Sequence, residues 1–324
     1  MSAYFFDAHV VSALFDRNGA VFALGDGTVR FESGEVIEAH DGAALCCAVH
    51  PSGEGVVTGG DDGRLVWSKP GGSSLLAELK GKWIDAIDAS PESGLIAFGA
   101  GRELHVRDAA DAGFSRSFRH ARTLAALAFD PKGRRLAAAT YGGAMLWYAK
   151  IAEQTPQMLK WAGSHIGVIW SPDGKFLISS MQESALHGWR LSDAKDMRMG
   201  GYPTKVRSLV FLAGGSLMAT SGAPGAVIWP FGGANGPMGK EAAEVGFDEN
   251  ATVARVAAGA KSLVLAAGLS DGRVWFADLK GVGVTAIRVE TGPAISALAV
   301  SPDGRRLAWG DEAGAAGLSS ICPP

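Results

Sequence analysis

Short apolar stretches of four to six residues run the length of the chain, each cut off by a polar turn carrying glycine or proline. Residues 168–180 (VIWSPDGKFLISS) and 297–310 (ALAVSPDGRRLAWG) show the form: two apolar stretches flank a Ser-Pro-Asp-Gly turn. Looser copies of that turn end at Gly19, Gly53, Gly94, Gly133 and Gly215. A second turn follows in each unit, near Gly27, Gly63, Gly101, Gly143, Ser184, Gly225, Gly272 and Gly314. Successive second turns lie 36 to 47 residues apart, a period that marks a structural repeat.

After the second turn come a third stretch, such as RLVWSK or AVIWPF, and a weaker fourth, such as SLLAELK. Runs this short, rich in β-branched and aromatic residues and bounded by Gly, Pro, Asp and Asn, predict β-strands. A helical solenoid would need glycine-free runs of about ten residues or more, and glycine interrupts almost every stretch here. The pattern therefore predicts an all-β fold, a single closed β-propeller of about eight four-stranded blades over residues 1–324. Ranging sheets around an axis buries both faces of every blade, which no blade achieves alone. A seven-bladed alternative would demote one terminal unit to a strap. The last unit supplies three strands, and residues 4–11 (YFFDAHVV) precede the first unit, so the N-terminal strand is expected to complete the last blade.

Unit two carries AHDG at residues 39–42, GGDDG at residues 59–63, then Val66 and Trp67. This resembles the WD40 repeat family, whose units run from a Gly-His pair through an Asp-Gly turn to Trp-Asp. The family's His–Ser/Thr–Asp–Trp hydrogen-bond network falls on His40, Thr58, Asp61 or Asp62, and Trp67, to which the resemblance assigns a structural role. Trp147, Trp189 and Trp229 stand at the same place in their units, followed by Tyr, Arg and Pro instead of Asp. Hydrophobic packing is expected to replace the network there. The resemblance implies a WD-repeat scaffold for protein–protein interaction.

Composition narrows the classes. The hydrophobic share of 47 % and charged share of 19 % describe a folded chain, and a net charge of −3 gives no general attraction to nucleic acid. Three cysteines, Cys46, Cys47 and Cys322, imply no disulfide framework and favour a reducing cytoplasm. The opening residues lack a basic start, and no apolar run approaches the roughly 20 residues of a membrane helix, so no membrane insertion is expected.

Candidate chemistry is sparse. The seven histidines lack metal-ligand spacing, no CxxC occurs, and no nucleophile elbow or phosphate loop appears, so neither enzyme activity nor a cofactor or metal is expected. On the first strands, Asp85 and Asp88 are the only acids close together. The alternative is a small-molecule-binding or hydrolytic, lactonase-like propeller using the central channel. Aligning the units gathers Trp83, Arg122, Tyr141, His165, Met181, Tyr202 and Arg207 on one loop face, beside Lys82, Thr123, Gln182 and Lys205. Aromatic residues and Arg are enriched at binding hot spots, so a protein or peptide partner is expected there. The Gly/Pro-rich connection at residues 231–246 is expected to be flexible.

Overall fold

The structure, a computed structural model, describes residues 2–281 and 283–321; Cys322 lies outside the described residues. Six of its seven hydrogen-bonded sheets have four antiparallel strands and the seventh has six. In the six-stranded sheet, two strands of 14 residues each serve twice. Arg135–Tyr148 pairs with Leu124–Phe129 through its first half and with Gln157–Trp170 through its second, with a register shift between Tyr141 and Gly143. Gln157–Trp170 changes partner in turn, pairing through residues 165–170 with Phe176–Met181. The ladders thus fall into eight four-stranded blades. Their inner strands are Val10–Phe15 (blade 1), Ala44–Val49 (2), Ala86–Ser90 (3), Leu124–Phe129 (4), residues 164–170 (5), Leu209–Leu212 (6), Val253–Ala258 (7) and Ile295–Val300 (8).

Burial explains the apolar runs. The second strands Ala20–Leu24, Val56–Gly60, Leu95–Ala100 and Val264–Leu269 are buried at every position, because a blade covers each of their two faces. Outermost strands such as Ser115–Arg119 alternate, turning every other side chain to solvent. The Ser-Pro-Asp-Gly turns are held by their own side chains. Ser171 Oγ donates to Asp173 and accepts from the Phe176 N–H at 2.9 Å, and Ser301 does the same with Asp303 and Arg306.

Inner strands carry a recurrent irregularity. Blades 1, 2, 4, 5, 7 and 8 each show a register shift near the start of the inner strand. Such a bulge adds one residue and re-aims the side chain that follows it. In blade 7 the extra residue is Ala254, and Arg255 follows.

Blade 8 is completed by Ser2–Phe5, which pairs with Ala315–Ser320. The Phe6 N–H donates to the Gly314 carbonyl at 2.8 Å, the bond that Leu79 makes to Gly63 in blade 2 at 2.7 Å. Val10 and Val11, expected in this completing strand, belong instead to the inner strand of blade 1. There the Val10 carbonyl accepts from Ser296 Oγ of blade 8 at 2.7 Å. Tyr4 and Phe6 stack together and lie against Phe22.

The connection at residues 231–246 departs from the expectation of flexibility, because its side chains find partners on blades 5 and 6. Phe231 packs edge-on against Phe176 and Phe211, and Arg190 donates to Asn235 at 2.7 Å.

Gly314 has φ +97°, and a Cβ there would collide with the Phe6 carbonyl oxygen. Gly314→Ala combines that clash with a left-handed backbone costing about 1–2 kcal/mol. Hydrogen exchange should show the Ser2–Phe5 amides losing protection in Gly314→Ala, together with a lower thermal midpoint. Unchanged protection would mean that the strand is not held by this pairing.

Candidate functional site

Two sets of turns build one face of the ring: the connections leading into each inner strand, and the second turn of each blade. Trp83 stands on the connection into blade 3, and Tyr141 at the second turn of blade 4. Both project outward, with 65 % and 54 % of their surface exposed. The exposed Arg122 places its guanidinium over the Tyr141 ring, 4.9 Å from the centroid. A groove of about 500 Å³ runs beside Trp83, bounded by Lys82, Asp85, Arg119 and Thr123. Across it Lys82 Nζ pairs with Glu103 at 2.6 Å.

Three residues expected on this face are not accessible. His165, Met181 and Tyr202 are buried. His165 Nδ1 lies 2.7 Å from Ser179 Oγ, and its Nε2 lies 3.1 Å from the Trp161 carbonyl. Tyr202 OH lies 2.7 Å from Thr220 Oγ1 and accepts from Trp229 Nε1 at 2.7 Å. Unit alignment locates a turn, but the period-two alternation of a strand decides which way each side chain points. Arg207 is exposed on the connection into blade 6, so blade 5 separates it from the Trp83–Tyr141 group.

The network in blade 2 is present with a changed membership. His40 Nε2 lies 2.8 Å from Thr58 Oγ1 and Nδ1 lies 3.1 Å from Asp62 Oδ1, while Asp61 accepts from the Ala43 N–H at 2.8 Å. A neutral imidazole satisfies both partners by donating from Nδ1 and accepting at Nε2. Trp67 does not join. It pairs across the sheet with Val57 while Thr58 pairs with Val66, so Trp67 and Thr58 point to opposite faces. Trp67 instead donates to the Glu54 carbonyl at 2.9 Å and stacks on His50 with centroids 4.0 Å apart.

Nor does hydrophobic packing alone replace the network elsewhere. Tyr202–Thr220 repeats the 18-residue separation of His40–Thr58. Trp147 Nε1 donates to His120 Nε2 at 3.1 Å, with the same 27-residue separation as Trp229 to Tyr202. His40, His120 and Tyr202 each leave the end of one blade and bond into the next. These spacings are present in the sequence, but recognising them requires accepting Tyr in the place of His.

Burial sets the chemistry of the inner strands. It pushes the Cys46 thiol up to about 12 and raises Cys47 as well, so both stay protonated. Asp88 is pushed up to about 6 by burial, although its carboxylate accepts from the Phe129 N–H at 2.6 Å. His120 and His187 are driven down to about 4, chiefly by burial. Among the described residues no group of three or more His, Cys, Asp or Glu is gathered to hold a metal ion.

Sequence reasoning missed a second pocket on the same face, of about 490 Å³, where blades 6, 7 and 8 meet. Lys205, Arg207, Arg255 and Glu312 line it. The available signal was Arg255 itself, a lone charge within the apolar inner strand VARVAA.

This architecture defines a repeat β-propeller. Residues 32–67 match the family sequence model described as "WD domain, G-beta repeat", the span that includes His40, Thr58 and Trp67. Among solved structures, the computationally designed Ika8 protein is similar, with TM-score 0.77 and 18 % identity over 98 % of each chain. The β-propeller domain of Cps50 (Swd1) from Myceliophteria thermophila is also similar, with TM-score 0.67 and 14 % identity over 87 % of this chain and 98 % of that one. No curated protein matches the chain in sequence. The repeat match and the fold together support a WD40-like repeat propeller. Among the described residues no helix is long and apolar enough to cross a membrane.

Two measurements follow. Tyr202→Phe leaves the Trp229 N–H without its acceptor and should cost about 1–2 kcal/mol in urea unfolding, an effect that a purely hydrophobic role would not produce. The second concerns pH. A proton held by Asp88 stabilises the fold below about pH 4, and that contribution is lost as pH rises through about 6. His120 and His187 act oppositely: their stabilisation is complete above pH 6.5 and lost as pH falls through about 4. Asp88→Asn should therefore gain stability over the parent between pH 4 and 7, on the order of 1 kcal/mol. A difference independent of pH would show that Asp88 titrates normally.

Proposed function

We propose that the chain is a non-catalytic platform that binds a protein or peptide on the face carrying Trp83, Arg122 and Tyr141. The observation that carries this is the exposure of Trp83 and Tyr141 beside a groove, one of them capped by an arginine, on rigidly supported turns. Large aromatics left in water cost solvation free energy, and burying them against a partner recovers it. WD40-like propellers commonly serve as interaction scaffolds, which agrees with this use of the face. The half-buried, protonated thiols of Cys46 and Cys47 suit binding rather than nucleophilic chemistry. Free thiols also suit a reducing cytoplasm.

The test is affinity capture from the source cell with the parent chain and with a Trp83→Ala/Tyr141→Ala double variant. Loss of two hot-spot aromatics should reduce recovery of a specific partner roughly tenfold or more. The thermal midpoint should move by only a few degrees, because both side chains are exposed. Equal recovery by the two proteins would overturn the assignment of this face, and a large fall in midpoint would make the two residues structural.

A further inference from the structure

The pocket at blades 6–8 has an unbalanced charge. Arg255 follows the inner-strand bulge of blade 7, and its Nε donates to the Ser296 carbonyl of blade 8 at 2.8 Å. Its Nη1 donates to the Ala254 carbonyl at 3.1 Å. Two of its five N–H groups are thereby committed and the guanidinium is fixed, while three donors remain. Arg207 and Lys205 line the same pocket against the single carboxylate of Glu312. Among the described residues, none of these three cations has a carboxylate within ion-pair distance, whereas half of the other arginines do. Burial and the neighbouring charge of Arg207 hold the Arg255 guanidinium below its ordinary value. Two guanidinium groups on one pocket repel each other, Glu312 offsets only part of that cost, and an anion between them removes more of it.

We propose that this pocket binds an oxyanion, a carboxylate or a phosphate, clamped between Arg207 and Arg255. Guanidinium groups recognise both oxyanions through paired N–H donors, and Arg255 is already oriented by two backbone carbonyls. The volume of about 490 Å³ admits a phosphate or an acidic side chain with its first waters. Glu312 sits in the same pocket and opposes the incoming charge, which tunes the affinity down. The site lies across the ring from Trp83 and does not depend on that surface.

The experiment is calorimetric titration of the full chain with inorganic phosphate and, separately, with a blocked tetraglutamate peptide. Arg207→Glu and Glu312→Gln are compared with the parent; Arg255 is left intact because it joins blades 7 and 8. At least one probe should bind, Arg207→Glu should weaken it about tenfold or more, and added salt should weaken it too. Glu312→Gln should tighten it several-fold, a gain that a misfolded variant cannot give. Binding of phosphate alone identifies a small or phosphoryl oxyanion, and binding of the peptide alone identifies carboxylates on a chain; either supports the site. Binding of neither probe, or equal binding by the parent and Arg207→Glu, overturns it. Partner capture on the Trp83 face is measured separately, so a failure here leaves that assignment standing.

Discussion

Everything in this molecule depends on each blade having a neighbour on both sides. The second strands are apolar on both faces, so a ring open at any seam would leave two such faces in water. The seam between blades 8 and 1 carries this requirement most plainly, because chain connectivity does not hold its inner strands together. Val10, Phe22 and Leu24 on one side meet Ala308 and Leu318 on the other. Each large apolar side chain buried there contributes about 1.5–3 kcal/mol. The Ser2–Phe5 strand adds the remaining backbone hydrogen bonds, and Arg306 reaches across to Glu32.

Apolar contact is tolerant of sliding, and at five further seams a polar pair fixes the position. Between blades 1 and 2 it is His40 with Thr58 and Asp62; between 3 and 4, His120 with Trp147; between 5 and 6, Tyr202 with Thr220 and Trp229. Between 6 and 7, Asp248 pairs with Arg273 at 2.6 Å, and between 7 and 8, Arg288 pairs with the buried Asp311 at 3.0 Å. Different residue types perform one geometric task. This fits a single-motif comparison that matches residues 32–67, in unit two.

The ring, its strand order and the closing strand were legible in the sequence because turns are local. A Ser-Pro-Asp-Gly tetrapeptide folds on its own hydrogen bonds, so its spacing reports the blade period directly. Side-chain direction was not legible. His165 and Met181 pair at the end of their ladder, where one step turns a contact residue into a buried one, and Tyr202, outside any strand, turns inward to Thr220 and Trp229. Trp67 fell to the same limitation, on the opposite face from Thr58. Arg255 was overlooked for another reason: its significance comes from Arg207 and Glu312, which are remote in sequence and meet it only once blades 6, 7 and 8 have packed together.

The strand Gln157–Trp170 runs from blade 4 into blade 5 without a break, whereas the chain passes between the other blades through connections outside the strands. Blades 4 and 5 are therefore tied by one continuous extended backbone, together with the Tyr141–Ser164 pair, instead of by a turn alone. These two blades form a stiff double wedge, and any widening of the ring must be absorbed at the remaining joints. Tyr141 rides on that wedge, so a molecule seated against it would meet a platform that yields less than the arc holding Arg207 and Arg255.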